Sequence, residues 1–159
     1  MPLHNFSWVI PDKLAGSDLP GGEVSTERQL KSDIEYLAGK GIRMLVSLAK
    51  PKGPVQRICS ALNMQWRYFP ISDFSAPVMN GRFTELVDEC IRSFVAGCPV
   101  CVHCHAGIGR TGMMLSCIVG AYLRLDADKS VAMVRKSRAA IETEEQLNFT
   151  AAFLQTYES

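Results

Sequence analysis

The chain has no strong charge of either sign. Its 159 residues carry 17 Lys+Arg against 16 Asp+Glu, a formal net charge of +1. Such a balance gives no global attraction to nucleic acid or to an anionic membrane, and neither partner is expected. Long apolar runs are missing too. The longest, around Met113 to Leu125, is too short and too interrupted to cross a bilayer. The first residues, Met1-Pro2-Leu3-His4-Asn5, lack a basic region followed by an apolar stretch, so no signal peptide is expected. The last, Thr156-Tyr157-Glu158-Ser159, carry no prenylation motif. A cytoplasmic or nuclear location follows as the expectation. No repeat, low-complexity tract or long linker divides the chain. With 47% hydrophobic and 21% charged residues it reads as one domain over residues 1–159, and as a monomer.

Six cysteines are present. Cys98, Cys101 and Cys104 have two residues between neighbours, a spacing shared with metal and redox pairs. On a strand, however, residues three apart lie about 10 Å apart and face opposite ways. No second Cys/His pair completes a set of four ligands. Neither a metal nor another cofactor is expected. Cys59, Cys90 and Cys117 fall on apolar stripes and read as buried fillers.

Periodicity divides the chain into alternating elements. Phe6–Ile10 and Lys13–Ala15 read as short edge strands. Thr26 with Gln29 makes a capping box ahead of Leu30, Ile34 and Leu37 at helical spacing. Ile42–Leu48 has the length of a buried strand, Val55–Leu62 of a short helix, and Gln65–Ile71 of another strand. Ser72-Asp73-Phe74-Ser75-Ala76-Pro77 carries turn chemistry. Phe83, Leu86, Val87, Cys90, Ile91 and Phe94 mark one helix face, and Val100–His103 the central strand. Thr111–Leu125 is apolar on nearly every side, which predicts a buried helix. Asp128 is expected to cap a helix bearing Val131 and Val134. Thr143 with Gln146 makes a second capping box, opening a last helix with Leu147, Ala151 and Leu154. Strands alternating with helices imply an α/β domain: a central, mostly parallel sheet flanked by helices.

The chemistry concentrates in His103-Cys104-His105-Ala106-Gly107-Ile108-Gly109-Arg110-Thr111-Gly112. A Gly-rich loop between a strand and a helix N-terminus offers unpaired N–H groups and a positive dipole end, which together bind an anion. A cysteine at the start of such a loop is favoured as a thiolate nucleophile. Arg110, six positions after Cys104, offers a planar fork that matches two phosphate oxygens. Gly107 and Gly109 let the backbone turn its amides inward. His105, Ala106 and Ile108 would contribute backbone N–H groups and rim the pocket. Arg135, Lys136 and Arg138 read as a solvated basic face, with some capacity to guide an anion.

This segment resembles the cysteine-dependent protein tyrosine phosphatases, whose loop reads H-C-x-x-G-x-x-R-[ST]. The short chain is similar to the dual-specificity branch, in particular its small atypical VHZ-like members. That resemblance extends to Asn5-Phe6-Ser7-Trp8-Val9-Ile10-Pro11 with Leu14-Ala15-Gly16, to Leu45-Val46-Ser47-Leu48, to Ile71-Ser72-Asp73-Phe74, and to Ile141-Glu142-Thr143-Glu144-Glu145-Gln146. It implies helices mainly on one side of the sheet and hydrolysis of a phosphorylated protein through a phosphocysteine at Cys104. Asp73 would be the general acid, although Ser72 stands where the family often has proline. Thr111 would donate its hydroxyl to the Cys104 sulfur, and His103 would shape the loop by bonding its backbone. Glu142 and Gln146 would orient the hydrolytic water. The phosphoinositide branch tends to carry lysines inside the loop, where this chain has His105 and Ile108. A phosphoinositide or RNA 5′-phosphatase, a phosphate-binding adaptor and a sulfur-transfer enzyme stand as alternatives.

Overall fold

The unbroken apolar run Val100-Cys101-Val102 already requires two covered sheet faces, and two are found. The computed structural model describes residues 3–23 and 26–157. In chain order the elements are β1 Ser7–Ile10, β2 Leu14–Ser17, α1 Glu27–Gly39, β3 Met44–Ser47, α2 Val55–Ala61, β4 Gln65–Tyr68, α3 Gly81–Val95, β5 Val100–His103, α4 Gly109–Leu123, α5 Ala127–Arg135 and α6 Glu144–Thr156. The sheet order is β1-β2-β5-β3-β4. All neighbours are parallel except β1 with β2.

Met44, Val46, Val100 and Val102 face the larger core with α3 to α6, whereas Leu45 and Cys101 face the smaller one with α1 and α2. The expected weighting of helices to one side is what the structure has. Every residue of α4 from Gly109 to Ala121 is buried, as its apolar composition demands. Cys59, Cys90 and Cys117 are buried as well, and burial alone pushes the Cys59 thiol up to about 11. Among the described residues no helix is long and apolar enough to cross a membrane.

Several expected boundaries shift. The strand expected at Ile42–Leu48 shortens to Met44–Ser47, and that at Gln65–Ile71 to Gln65–Tyr68, where Pro70 offers no ladder donor. The cap of α5 is Asp126, whose carboxylate accepts from the Lys129 N–H at 2.9 Å; Asp128 sits in the first turn instead. The larger correction concerns α6. Leu147 is exposed, and the buried stripe is Gln146, Phe149, Thr150 and Phe153. That stripe is rotated by roughly one residue, 100°, from the one the aliphatic residues suggested. Phe149 and Phe153 win because both meet Phe83 edge-on, at 5.1 and 5.3 Å between centroids. Thr150 tolerates burial because its hydroxyl donates to the Gln146 carbonyl at 2.9 Å.

The corrected stripe makes a stability prediction. Phe153→Ala should cost about 3–5 kcal/mol, whereas Leu147→Ala should stay within about 0.5 kcal/mol. Urea unfolding of both variants measures the difference, and equal losses would restore the aliphatic stripe.

Candidate active site

Parallel strands present their carboxyl ends on one side, where crevices form between diverging loops. Ser17, Ser47 and His103 end β2, β3 and β5 in register there. The connection from β5 to α4, Cys104 to Ile108, crosses the middle of that edge.

The carbonyls of this connection are all drawn outward. Leu48 N–H donates to the His103 carbonyl at 2.9 Å, and Leu19 N–H to that of His105 at 2.9 Å. The His103 ring Nδ1 bonds the Cys104 carbonyl at 2.9 Å. Asn5 Nδ2 donates to Ala106 at 3.0 Å and Arg138 Nη2 to Gly107 at 2.8 Å. Ile141 N–H donates to Ile108 at 2.9 Å. No described peptide bond is cis. In a trans peptide the N–H points opposite to the C=O, so the amides of this loop turn inward as a nest for an anion. Gly107 makes the turn at φ 79°. A Cβ there would lie 2.5 Å from the Ser17 carbonyl oxygen and 2.8 Å from Arg138 Nη2. At Gly109 a Cβ would overlap the Glu142 carboxylate and approach Gln146 Nε2 at 3.1 Å. Glu142 and Gln146, distant in sequence, therefore do reach the loop.

Cys104 lies at the base, 2% exposed. Arg110 is 6% exposed; its Nη1 donates to the Ile71 carbonyl at 2.8 Å, and its Nη2 lies 3.4 Å from Asp73 Oδ1. Asp73 thus reaches the site, half exposed, and its Oδ1 also accepts from the Phe74 N–H at 2.9 Å, the turn bond common for aspartate. Thr143 Oγ1 donates to the Phe74 carbonyl and Gln146 Nε2 to that of Ser75, at 3.1 and 3.3 Å. The same Gln146 accepts from the Glu142 N–H and closes the α6 capping box. His105 stands at the rim, with Nε2 at 2.8 Å from Glu23 Oε1. Ala106 is exposed and Ile108 half-buried.

Arg138 overturns its reading as part of a solvated face. It is 6% exposed and lies beneath the loop, donating to Ser7 Oγ, the Gly16 carbonyl and the Gly107 carbonyl. Burial holds its guanidinium below the usual arginine range. Position in sequence gives no sign of this, because α5 ends at Arg135 and only the turn after it brings Arg138 inward. Among the described residues, the buried side-chain polar atoms left without a hydrogen bond are Arg110 Nε, Thr111 Oγ1 and Arg138 Nε. All belong to this loop or its support. The Thr111 hydroxyl expected to bond the Cys104 sulfur is one of them.

Ser47, which the sequence offers only inside the resembling run Leu45–Leu48 with no role, and Trp66 are further residues of this arrangement. His103 is fully buried, and that burial lowers its imidazole to about 4. A neutral ring carries one N–H. The Cys104 carbonyl only accepts, so the proton sits on Nδ1 and Nε2 accepts from the Ser47 hydroxyl. Trp66 Nε1–H in turn donates to Ser47 Oγ at 2.8 Å. One proton order, Trp66 to Ser47 to His103 to Cys104 carbonyl, satisfies the chain.

Two measurements check this arrangement. Nitrogen-15 NMR should find His103 neutral and protonated on Nδ1 at pH 6; an imidazolium there would refute it. In the unfolded chain histidine takes its proton near pH 6.5, so between there and about pH 4 the unfolded state binds the extra proton. Stability should fall as pH drops through this window, by up to about 3 kcal/mol from His103.

Comparison with known proteins follows the same lines. The family model described as "Polymorphic toxin system, DSP-PTPase phosphatase" matches residues 15–124. Protein tyrosine phosphatase domain-containing protein 1 of Mus musculus is 29% identical over 164 residues, covering 94% of this chain but 21% of its own length. The crystal structure of Tk-PTP in the active form superposes with a TM-score of 0.80 at 20% identity, over 96% of this chain and 98% of that one. That of PTPMT1 in complex with PI(5)P gives 0.79 at 11% identity, over 96% of each chain. The latter two likenesses establish a shared fold. Since the matched span contains β5, the anion loop and Arg110, the chain belongs to the DSP-PTPase phosphatase family.

Proposed function

We propose that this chain hydrolyses phosphomonoesters of protein side chains, phosphotyrosine first and phosphoserine or phosphothreonine as well, through a phosphocysteine at Cys104. The observation that carries the reading is a pair of unsatisfied buried polar groups, Arg110 Nε and Thr111 Oγ1, at the start of α4 where the amide-lined loop ends. An unpaired buried polar group costs about 1–3 kcal/mol. The Arg110 donor left open at such a loop suits an anion that arrives later.

In the first step the Cys104 sulfur attacks phosphorus. The S–P bond forms, the P–O bond to the leaving group breaks, and Asp73 delivers a proton to that oxygen. Arg110 and the inward amides meet the charge that spreads over the equatorial oxygens. Asp73 and the phosphoryl group share one guanidinium, since Arg110 Nη2 already lies 3.4 Å from Asp73. The acid is thereby positioned beside the bond it serves. In the second step water attacks phosphorus, its proton passes to Asp73, the S–P bond breaks and the thiolate is restored. Glu142 and Gln146, next to Gly109, orient that water. His103, Ser47 and Arg138 act through the loop backbone as positioning residues.

A protein substrate is favoured over a polyphosphorylated headgroup by the carboxylates at the mouth. Glu23 pairs with His105, and Glu142 lies exposed against Gly109. A second or third phosphate would meet them with like charge.

Turnover of a small aryl phosphate is the direct test. Cys104→Ser should abolish it while phosphate binding persists; turnover in that variant would end the mechanism. Asp73→Ala should lower kcat by about 10²–10⁴-fold, and a loss under twofold would remove Asp73 from the acid's role. Inorganic phosphate should also protect Cys104 from alkylation by iodoacetamide, as judged by mass spectrometry.

A further inference from the structure

Most large apolar side chains of the chain are buried, but Phe74, Val78 and Met79 are 57, 76 and 48% exposed within one six-residue segment. Looseness does not account for this. The Phe74 and Ser75 carbonyls are tied to Thr143 and Gln146 of the α6 cap. Ser75 N–H donates to the Ser72 carbonyl, and Asn80 N–H to that of Val78. The Asn80 side chain then caps α3 through the Arg82 N–H. Ala76, inside the segment, packs on the larger core. Phe74 is even held at φ 63°, a left-handed conformation that a bulky residue adopts only where its surroundings impose it. The backbone is thus fixed with three apolar side chains directed at solvent.

Position gives these side chains a use. Phe74 follows Asp73, whose carboxylate lies against Arg110 at the pocket. A polypeptide that places a phosphorylated side chain on the loop brings its neighbouring residues close to Asp73, and so to the segment that begins at Phe74. We infer that Phe74, Val78 and Met79 form a recognition ledge that holds a large apolar residue next to the phosphorylated residue of a polypeptide substrate. The inference rests on the proposed function and specifies its substrate. A lipid surface suits the ledge poorly. Positions 68–81 contain no lysine or arginine and carry Asp73, and the adjoining cap presents Glu142, Glu144 and Glu145 to solvent. Anionic headgroups attract basic segments, at about 1 kcal/mol per Lys or Arg, and would be repelled here. For the same reason acidic residues beside the phosphoresidue are disfavoured.

Phosphotyrosine peptides that differ only in the flanking residues, leucine or aspartate, test the ledge. Their kcat/KM is compared for the wild type and for the double variant Val78→Ser, Met79→Ser, with a small aryl phosphate as control. The wild type should prefer the leucine peptide by about tenfold. The double variant should lose that preference while aryl phosphate turnover is unchanged. No preference in the wild type, or the same preference in the variant, would overturn the ledge. Faster wild-type turnover of a phosphoinositide in phosphatidylcholine vesicles than of the leucine peptide, lost in the variant, would reassign it to membrane contact. Fluorescence polarisation of both peptides on Cys104→Ser repeats the comparison without turnover. A leucine preference in binding alongside an inactive wild type would therefore sink the proposed hydrolysis and leave the ledge standing.

Discussion

An anion can sit in a backbone loop only if the carbonyl dipoles are kept off it. Here that constraint is met residue by residue from His103 to Ile108. The donors come from Asn5, Leu19, Leu48, Arg138 and Ile141, with the His103 ring supplying the remaining bond. These residues span nearly the whole chain. The inward amides are therefore a property of the assembled domain, and no isolated loop of the same sequence would hold them. Central placement of β5, between β2 and β3, is what lets both neighbouring strands' loops reach it.

Two buried guanidiniums give the site its charge. Arg110 and Arg138 are each 6% exposed. Neutral carbonyls and a hydroxyl supply most of their partners, and the one carboxylate among them, Asp73, is itself half exposed. Burying a cation with so little compensation lowers stability. Sites that act on charged substrates commonly accept such a cost. By contrast His103, equally buried, is kept neutral by its surroundings and adds direction without charge. The result is positive potential close to Cys104.

The loop that carries Asp73 depends on α6 in the same physical way. Gln146 closes the capping box of that helix with its carbonyl oxygen and holds the Ser75 carbonyl with its amide. One fully buried side chain thus joins the helix start, the anion loop and the segment that carries Asp73. Helix capping and the placement of the segment after Asp73 share a single set of hydrogen bonds, so that carboxylate is carried by a rigid element.

Much of this was legible in the sequence. The anion loop, the alternation of strands and helices, the buried α4 and the Thr143 cap all depend on local patterns of glycine placement, apolar period and capping pairs, and local patterns survive folding. On α6 the aliphatic spacing marks Leu147, Ala151 and Leu154, of which Leu154 packs on the core but Leu147 is exposed, because spacing cannot weigh two phenylalanines and a back-bonded threonine against a leucine. Arg138 was misread because a basic residue near other basic residues looks solvated until its turn is placed. Ser47 lies in a resembling run that assigns it no role, and Trp66 carries no motif; register between strands puts them in line with His103. By itself the sequence determined which chemistry was available, a thiol, a guanidinium and a glycine-rich turn at a helix start, because these are covalent facts and short-range geometry. Tertiary structure alone decided which carbonyls face out, which arginine lies beneath the loop and which carboxylates reach it, because those outcomes depend on contacts between residues up to 131 positions apart.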